Sequence, residues 1–104
     1  MSSPVVEYLR YTIPREKRES FIQDYKAAAG HLMNSPYSKS FELSECKEDA
    51  TKFLLRIDWT SGDDHLKRFR TSEEFKEFFK HIKPYLDNID EMRHYNTVLQ
   101  LQDE

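Results

Sequence analysis

The stretch KFLLRIDWT, residues 52–60, decides the fold. Phe53, Leu55, Ile57 and Trp59 occupy alternate positions, with Leu54, Arg56 and Asp58 between them. Successive side chains of a strand point to opposite faces, so this alternation is that of a strand with one core face and one mixed face. The first row needs helices above it. The second row is too apolar for free solvent and too charged for an ordinary core.

The neighbouring segments supply the rest. Upstream, YSKSFELSEC (37–46) puts Tyr37, Phe41 and Leu43 on one side, and KEDA (47–50) is a polar turn, so the two segments form a hairpin. Further upstream, VVEYLRYTI (5–13) is β-branched and aromatic, a strand with its own mixed row in Val6, Tyr8 and Arg10. Pro14 ends it. Phe21, Ile22, Tyr25, Ala28, Ala29 and Leu32 then follow helical spacing, and NSP (34–36) breaks the helix. Downstream, TSGDD (60–64) turns the chain into a short helix, DHLKRF. Thr71 and Glu74 have the spacing of a capping box before the amphipathic run Phe75, Phe78, Phe79, Ile82. Pro84 ends or kinks that helix, and IDEMRHYNTVLQL (89–101) is a fourth strand, running on into a tail. The order β-α-β-β-α-β is the ferredoxin-like pattern of an α+β protein, with both helices on one face of a four-stranded antiparallel sheet. The uncovered face, with Tyr8, Arg10, Leu54 and Arg56, predicts an isologous homodimer packed sheet on sheet.

Composition narrows the function classes. A chain of 104 residues is one domain, 1–104, with its core at about 5–98 and a C-terminal tail at 99–104. The net charge of −3 is spread over a mixed-sign surface, which argues against nucleic-acid binding. No apolar run spans a bilayer and no signal core is visible, so a soluble cytoplasmic protein with no membrane partner is expected. Cys46 is the only cysteine, which excludes an intramolecular disulfide. With two glycines in all there is no phosphate-cradling loop, so no nucleotide cofactor is expected. No two histidines stand at metal-ligand spacing beside a carboxylate, and no metal is expected.

VEYLRYTIP, LLRIDWTSGDDHL and FKEFFKHIKPYLDNIDEMRHY resemble the antibiotic biosynthesis monooxygenase domain family, and the likeness covers about residues 5–98. The resemblance implies a dimeric α/β-barrel of two ferredoxin-like protomers, each with a cavity between sheet and helices. It also implies an activity: cofactor-free oxidation of quinols and phenols, which some members perform, while others degrade haem. The tryptophan that ends the third strand in many members matches Trp59. The histidine that commonly follows about nine or ten positions later has no counterpart here, where Arg68 and Phe69 stand and His65 is nearest. The first-strand asparagine of haem-degrading members is also missing, since that strand carries Glu7, Tyr8 and Arg10.

The candidate catalytic residues are therefore His94, His65 and Trp59, and the candidate substrate-binding residues are Phe69, Phe78, Phe79 and Asn96. Trp59 lines the cavity or serves the core alone. His65 begins a short helix after a polar turn, where solvation is the common fate. His94 shares a strand face with Met92 and Asn96, and is either a satisfied core residue or a proton acceptor. Arg93 and Tyr95 then face the partner protomer. His31 and His81 sit among charged helical residues and read as solvated. Two functions fit: a small cofactor-independent monooxygenase acting on a quinol or phenolic aromatic, or a non-catalytic dimeric module binding a small ligand or partner.

Overall fold

A computed structural model describes residues 5–101. β1 (Val5–Thr12) leads through a 3-10 turn (Arg15–Lys17) into α1 (Arg18–Met33). β2 (Ser38–Glu45) and β3 (Lys52–Trp59) form the hairpin. A π-helical turn (Asp64–Phe69), α2 (Glu73–Ile82), a 3-10 segment (Lys83–Asn88) and β4 (Ile89–Tyr95) complete the domain. The sheet is antiparallel, in the order β2-β3-β1-β4, which is the expected ferredoxin-like arrangement. β1 is central, and its register sets Glu7 between Ile57 on β3 and His94 on β4.

Period-two geometry assigns the faces. Val5, Leu9, Tyr11 and Ile13 join Phe53, Leu55, Ile57 and Trp59 beneath the helices, where Phe21, Tyr25, Ala28, Leu32, Phe78 and Ile82 close the core. The phase of β4 is the expected one: Met92 pairs with Leu9 and His94 with Glu7, while Arg93 and Tyr95 lie opposite Tyr8 and Val6. Aromatic edges knit the interior, with Phe21 against Tyr11, Tyr25 and Tyr85 at centroid separations of 5.0–5.1 Å. On the other face the rings of Tyr8 and Tyr95 meet edge-on at 5.4 Å, and Arg56 bonds Asp58 at 3.0 Å.

Two expectations need correction. The cap of α2 is Ser72, whose hydroxyl accepts from the Phe75 amide, so there is no Thr71–Glu74 box. The Thr71 hydroxyl instead donates back to the Lys67 and Arg68 carbonyls, which completes the preceding turn. β4 stops at Tyr95, so Asn96 leaves the strand before its face is set by the pleat. Residues 96–101 are exposed, including Val98, Leu99 and Leu101, and the last residues of the predicted tail lie outside the described ones.

Candidate functional site

Between the sheet and α2 lies a cavity of about 300 Å³. Its wall is mostly apolar, built from Leu9, Leu55, Ile57, Phe75, Phe78 and Phe79. Trp59, Phe69, Glu7, His65 and Arg70 gather at one end. Phe69, Phe78 and Phe79 thus all border the cavity. Trp59 lines the space while packing as 1% exposed core, so it does not serve the core alone. Asn96 is not there: it borders a surface recess with Val6, Tyr8, Arg56 and Tyr95 on the opposite face.

The polar end is assembled from four elements. Glu7 on β1 is 3% exposed, and its Oε1 accepts a 3.0 Å hydrogen bond from the Trp59 indole N–H. His65, a candidate catalytic residue in a segment where solvation is the common fate, is 4% exposed. Its ring stacks on Trp59 at 4.3 Å and 12°. The π-helical turn explains this burial: Arg70 N–H reaches back to the His65 carbonyl, a wide turn that rotates the imidazole inward under the indole. His65 Nε2 lies 3.5 Å from Glu7 Oε1, and His65 Nδ1 lies 2.6 Å from His94 Nε2. His94 does not border the cavity itself. It stands beside His65, with Nε2 3.8 Å from Glu7 Oε2 and its side chain 27% exposed. His31 and His81, by contrast, are half-buried and stack on each other at 5.6 Å across the helix pair.

Burial governs the protonation of the cluster. It pushes the Glu7 carboxyl up to about 7, against weaker stabilisation of the anion by the Trp59 hydrogen bond and the Arg70 charge. Burial, with the charges of His94 and Arg70, pushes His65 down to about 3. His94 is lowered too, by burial and then by Arg70. The histidines are therefore neutral at pH 7, and Glu7 is poised between its two forms. A buried carboxyl titrating near 7 beside an apolar cavity has the properties of a general base.

Glu7, His65 and His94 each offer one donor atom within 4.8 Å of the others, a grouping that no sequence spacing announced. Two imidazoles and a carboxylate suit a divalent transition ion. As they stand, however, the 2.6 Å contact joins the two histidines directly. Two nitrogens on one ion with bonds of about 2.0–2.1 Å sit roughly 3 Å apart or more. The arrangement is a hydrogen-bonded histidine pair with the Glu7 carboxyl 3.5 Å from one ring and 3.8 Å from the other.

Glu7 is the residue that sequence reasoning passed over. The signal was present, since Glu7 falls in the row Val5, Leu9, Tyr11, Ile13 that the alternation of VVEYLRYTI sends to the core. A lone carboxylate in such a row is costly unless it is paired or protonated.

An antiparallel ferredoxin-like sheet with an aromatic cavity under its second helix defines a class of small α+β proteins. Residues 4–81 match the antibiotic biosynthesis monooxygenase family, and the chain belongs to that family. A curated relative, the uncharacterised protein YczJ of Bacillus subtilis (strain 168), is 25% identical over 80 residues, covering 77% of this chain and 84% of YczJ. Among solved structures, SnoaB, a cofactor-independent oxygenase from Streptomyces nogalater, superposes in a mutant form with a TM-score of 0.82 at 14% identity, covering 98% of this chain and 100% of that one. A candidate antibiotic biosynthesis monooxygenase from Bordetella bronchiseptica gives 0.80 at 21% identity over 93% of this chain and 99% of its own. These structures share the fold. The described helices include none long and apolar enough to cross a membrane.

Proposed function

We propose that this protein is a cofactor-independent monooxygenase that oxidises a small phenolic or quinol aromatic, with Glu7 as the general base. The single observation that carries the reading is the buried Glu7 carboxyl on the wall of an otherwise aromatic and aliphatic cavity. A planar ring lies between Phe69, Phe78, Phe79 and Trp59, and its hydroxyl points to the polar end. Glu7 takes the phenolic proton, and the electron-rich phenolate passes electrons to O₂ directly. Carbon–oxygen bond formation and loss of water then convert a naphthol and O₂ to a quinone and H₂O. The apolar wall holds the ring and keeps bulk water from the anion. His65 acts on Glu7 rather than as the base, because its low proton affinity suits a neutral hydrogen-bonding partner.

The functional unit is a homodimer packed through the face that carries Tyr8, Arg56, Arg93 and Tyr95. Sedimentation at micromolar concentration tests it: a stable monomer of 12.5 kDa refutes the pairing.

Oxygen uptake with a panel of hydroquinones and naphthols tests the activity. Uptake in the wild type that is lost in Glu7→Gln supports it, and no uptake across the panel overturns it. Saturable binding of a naphthol without turnover supports the second reading, a non-catalytic ligand-binding module, which the unmatched family histidine position at Arg68 and Phe69 favours.

A further inference from the structure

We propose that Glu7, His65 and His94 form a two-way proton relay between the cavity and solvent, in which both histidines switch tautomer together and neither becomes a cation. The inference rests on the reading that Glu7 takes a substrate proton, and it concerns where that proton goes.

The geometry is a compact cluster of three groups, in which Glu7 Oε2 also lies 3.8 Å from His94 Nε2. Glu7 Oε1 faces His65 Nε2 at 3.5 Å, a gap that a small carboxylate movement closes. The opposite nitrogen of the same ring, Nδ1, touches His94 Nε2 at 2.6 Å. Side-chain exposure is 4% for Glu7, 5% for His65 and 27% for His94, so accessibility rises from Glu7 to His94. Glu7 and His65 border the cavity and His94 does not. A buried base that has accepted a proton needs an outlet, and the path through His65 and His94 leads from the cavity to water.

A neutral imidazole has one N–H and one lone pair. When Glu7 is protonated, its carboxyl O–H donates to His65 Nε2 and His65 Nδ1–H donates to His94 Nε2. His94 then carries its own proton on Nδ1. When the relay fires, the carboxyl proton moves to His65 Nε2, the Nδ1 proton moves to His94 Nε2, and the His94 Nδ1 proton passes to water. Each ring gains one proton, loses another and stays neutral, while Glu7 becomes a carboxylate. The reverse run brings one proton back. The balanced oxidation uses both directions: the proton leaves as the phenolate forms and returns when the peroxidic oxygen departs as water. That return resets the tautomers.

The surroundings favour neutral rings. Arg70 borders the cavity, and its charge opposes a cation on either histidine. His65 is held flat against Trp59, so its two nitrogens keep their separate partners. From β1 and α1, Tyr11 and Tyr25 face the same interior, and burial holds both phenols protonated, Tyr11 up to about 12 and Tyr25 well above the ordinary value. The Glu7 charge raises both phenols further.

Nitrogen-15 NMR of the histidine-labelled protein between pH 5 and 9 tests the relay without any substrate. His31 and His81, stacked on each other away from the cluster, give reference signals. The expected result is that protonated and unprotonated ring nitrogens exchange identity in His65 and His94 at one pH near 7. The Glu7 carboxyl carbon signal titrates at the same midpoint, and the exchange disappears in Glu7→Gln. An imidazolium at either position near pH 6.5, tautomers that never change, or separate midpoints for carboxyl and rings each overturn the proposal. The wild-type midpoints decide it even if the variant fails to fold. Samples are measured with and without EDTA, because a bound ion would lock both rings in one ligating tautomer; a locked pair that EDTA releases into ordinary imidazolium titration also overturns the relay. Failure of the hydroquinone and naphthol panel strikes the activity alone and leaves this measurement intact.

Discussion

The indole N–H of Trp59 donates to Oε1 of Glu7 at 3.0 Å across 52 positions of sequence. β1 and β3 are neighbours in the sheet, so the two side chains lean together on its helix-covered face. The contact orients the carboxylate toward His65 and partly offsets the desolvation that raises its proton affinity.

Trp59→Phe keeps a ring for His65 to stack on and removes the donor. Leaving a buried carboxylate oxygen short of one partner costs about 1–3 kcal/mol. The variant is expected to unfold earlier in urea at pH 8 than the wild type. Its Glu7 carboxyl should titrate at higher pH by carbon-13 NMR. An unchanged midpoint shows that the bond does not tune Glu7.

Glu7→Gln is expected to change the pH dependence of stability. A carboxyl raised from 4.5 to about 7 favours the fold fully below pH 4.5. That stability is lost as pH climbs to about 7, at a cost of about 3 kcal/mol. His65, lowered from 6.5 to about 3, acts with the opposite sign and removes stability as pH falls through that window. The two slopes oppose each other in the wild type. Removing the carboxyl takes away the first, so the variant should gain on the wild type between pH 4.5 and 7. Urea denaturation at pH 5 and 8 checks this: a constant difference between the two proteins contradicts it.

Ser72→Ala removes the hydroxyl that caps the Phe75 amide, and about 1 kcal/mol of stability should go with it. Thr71→Ala loses only bonds back to the Lys67 and Arg68 carbonyls, so its cost should be smaller. Thermal unfolding of the two variants side by side tells them apart, and a reversed order contradicts the cap assignment.

Arg56→Glu places like charges beside Asp58, whose carboxylate Arg56 now bonds at 3.0 Å. Both side chains are partly exposed in the single chain, so the effect on its own stability should be small. In the proposed dimer the same row is covered, and the dissociation constant should rise at least tenfold, about 1.4 kcal/mol. Sedimentation equilibrium measures it, and an unaltered constant shows that the row faces water.

The alternation in KFLLRIDWT and the order of elements around it determined the ferredoxin-like sheet and its covered face, whereas the phase of β4 rested on Met92 alone until strand pairing fixed it. The sheet and its covered face follow from local rules, because a pleated strand sorts its side chains by parity and a four-stranded α+β chain has few ways to close a core. The aromatic wall was legible for the same reason: Phe75, Phe78 and Phe79 fall on the apolar stripe of α2. The polar end of the cavity was not. His65 sits in DHLKRF, a segment whose composition reads as solvated, and only the π-helical turn rotates it beneath Trp59. Asn96 continues the parity of Met92 and His94, yet β4 ends one residue too early for parity to hold it. Glu7, His65 and His94 lie on β1, the π-helical turn and β4, and no spacing along the chain encodes their approach. The tertiary structure decided it, because sheet pairing brings β4 beside β1, and burial then alters the proton affinities that the sequence assigns to each residue alone.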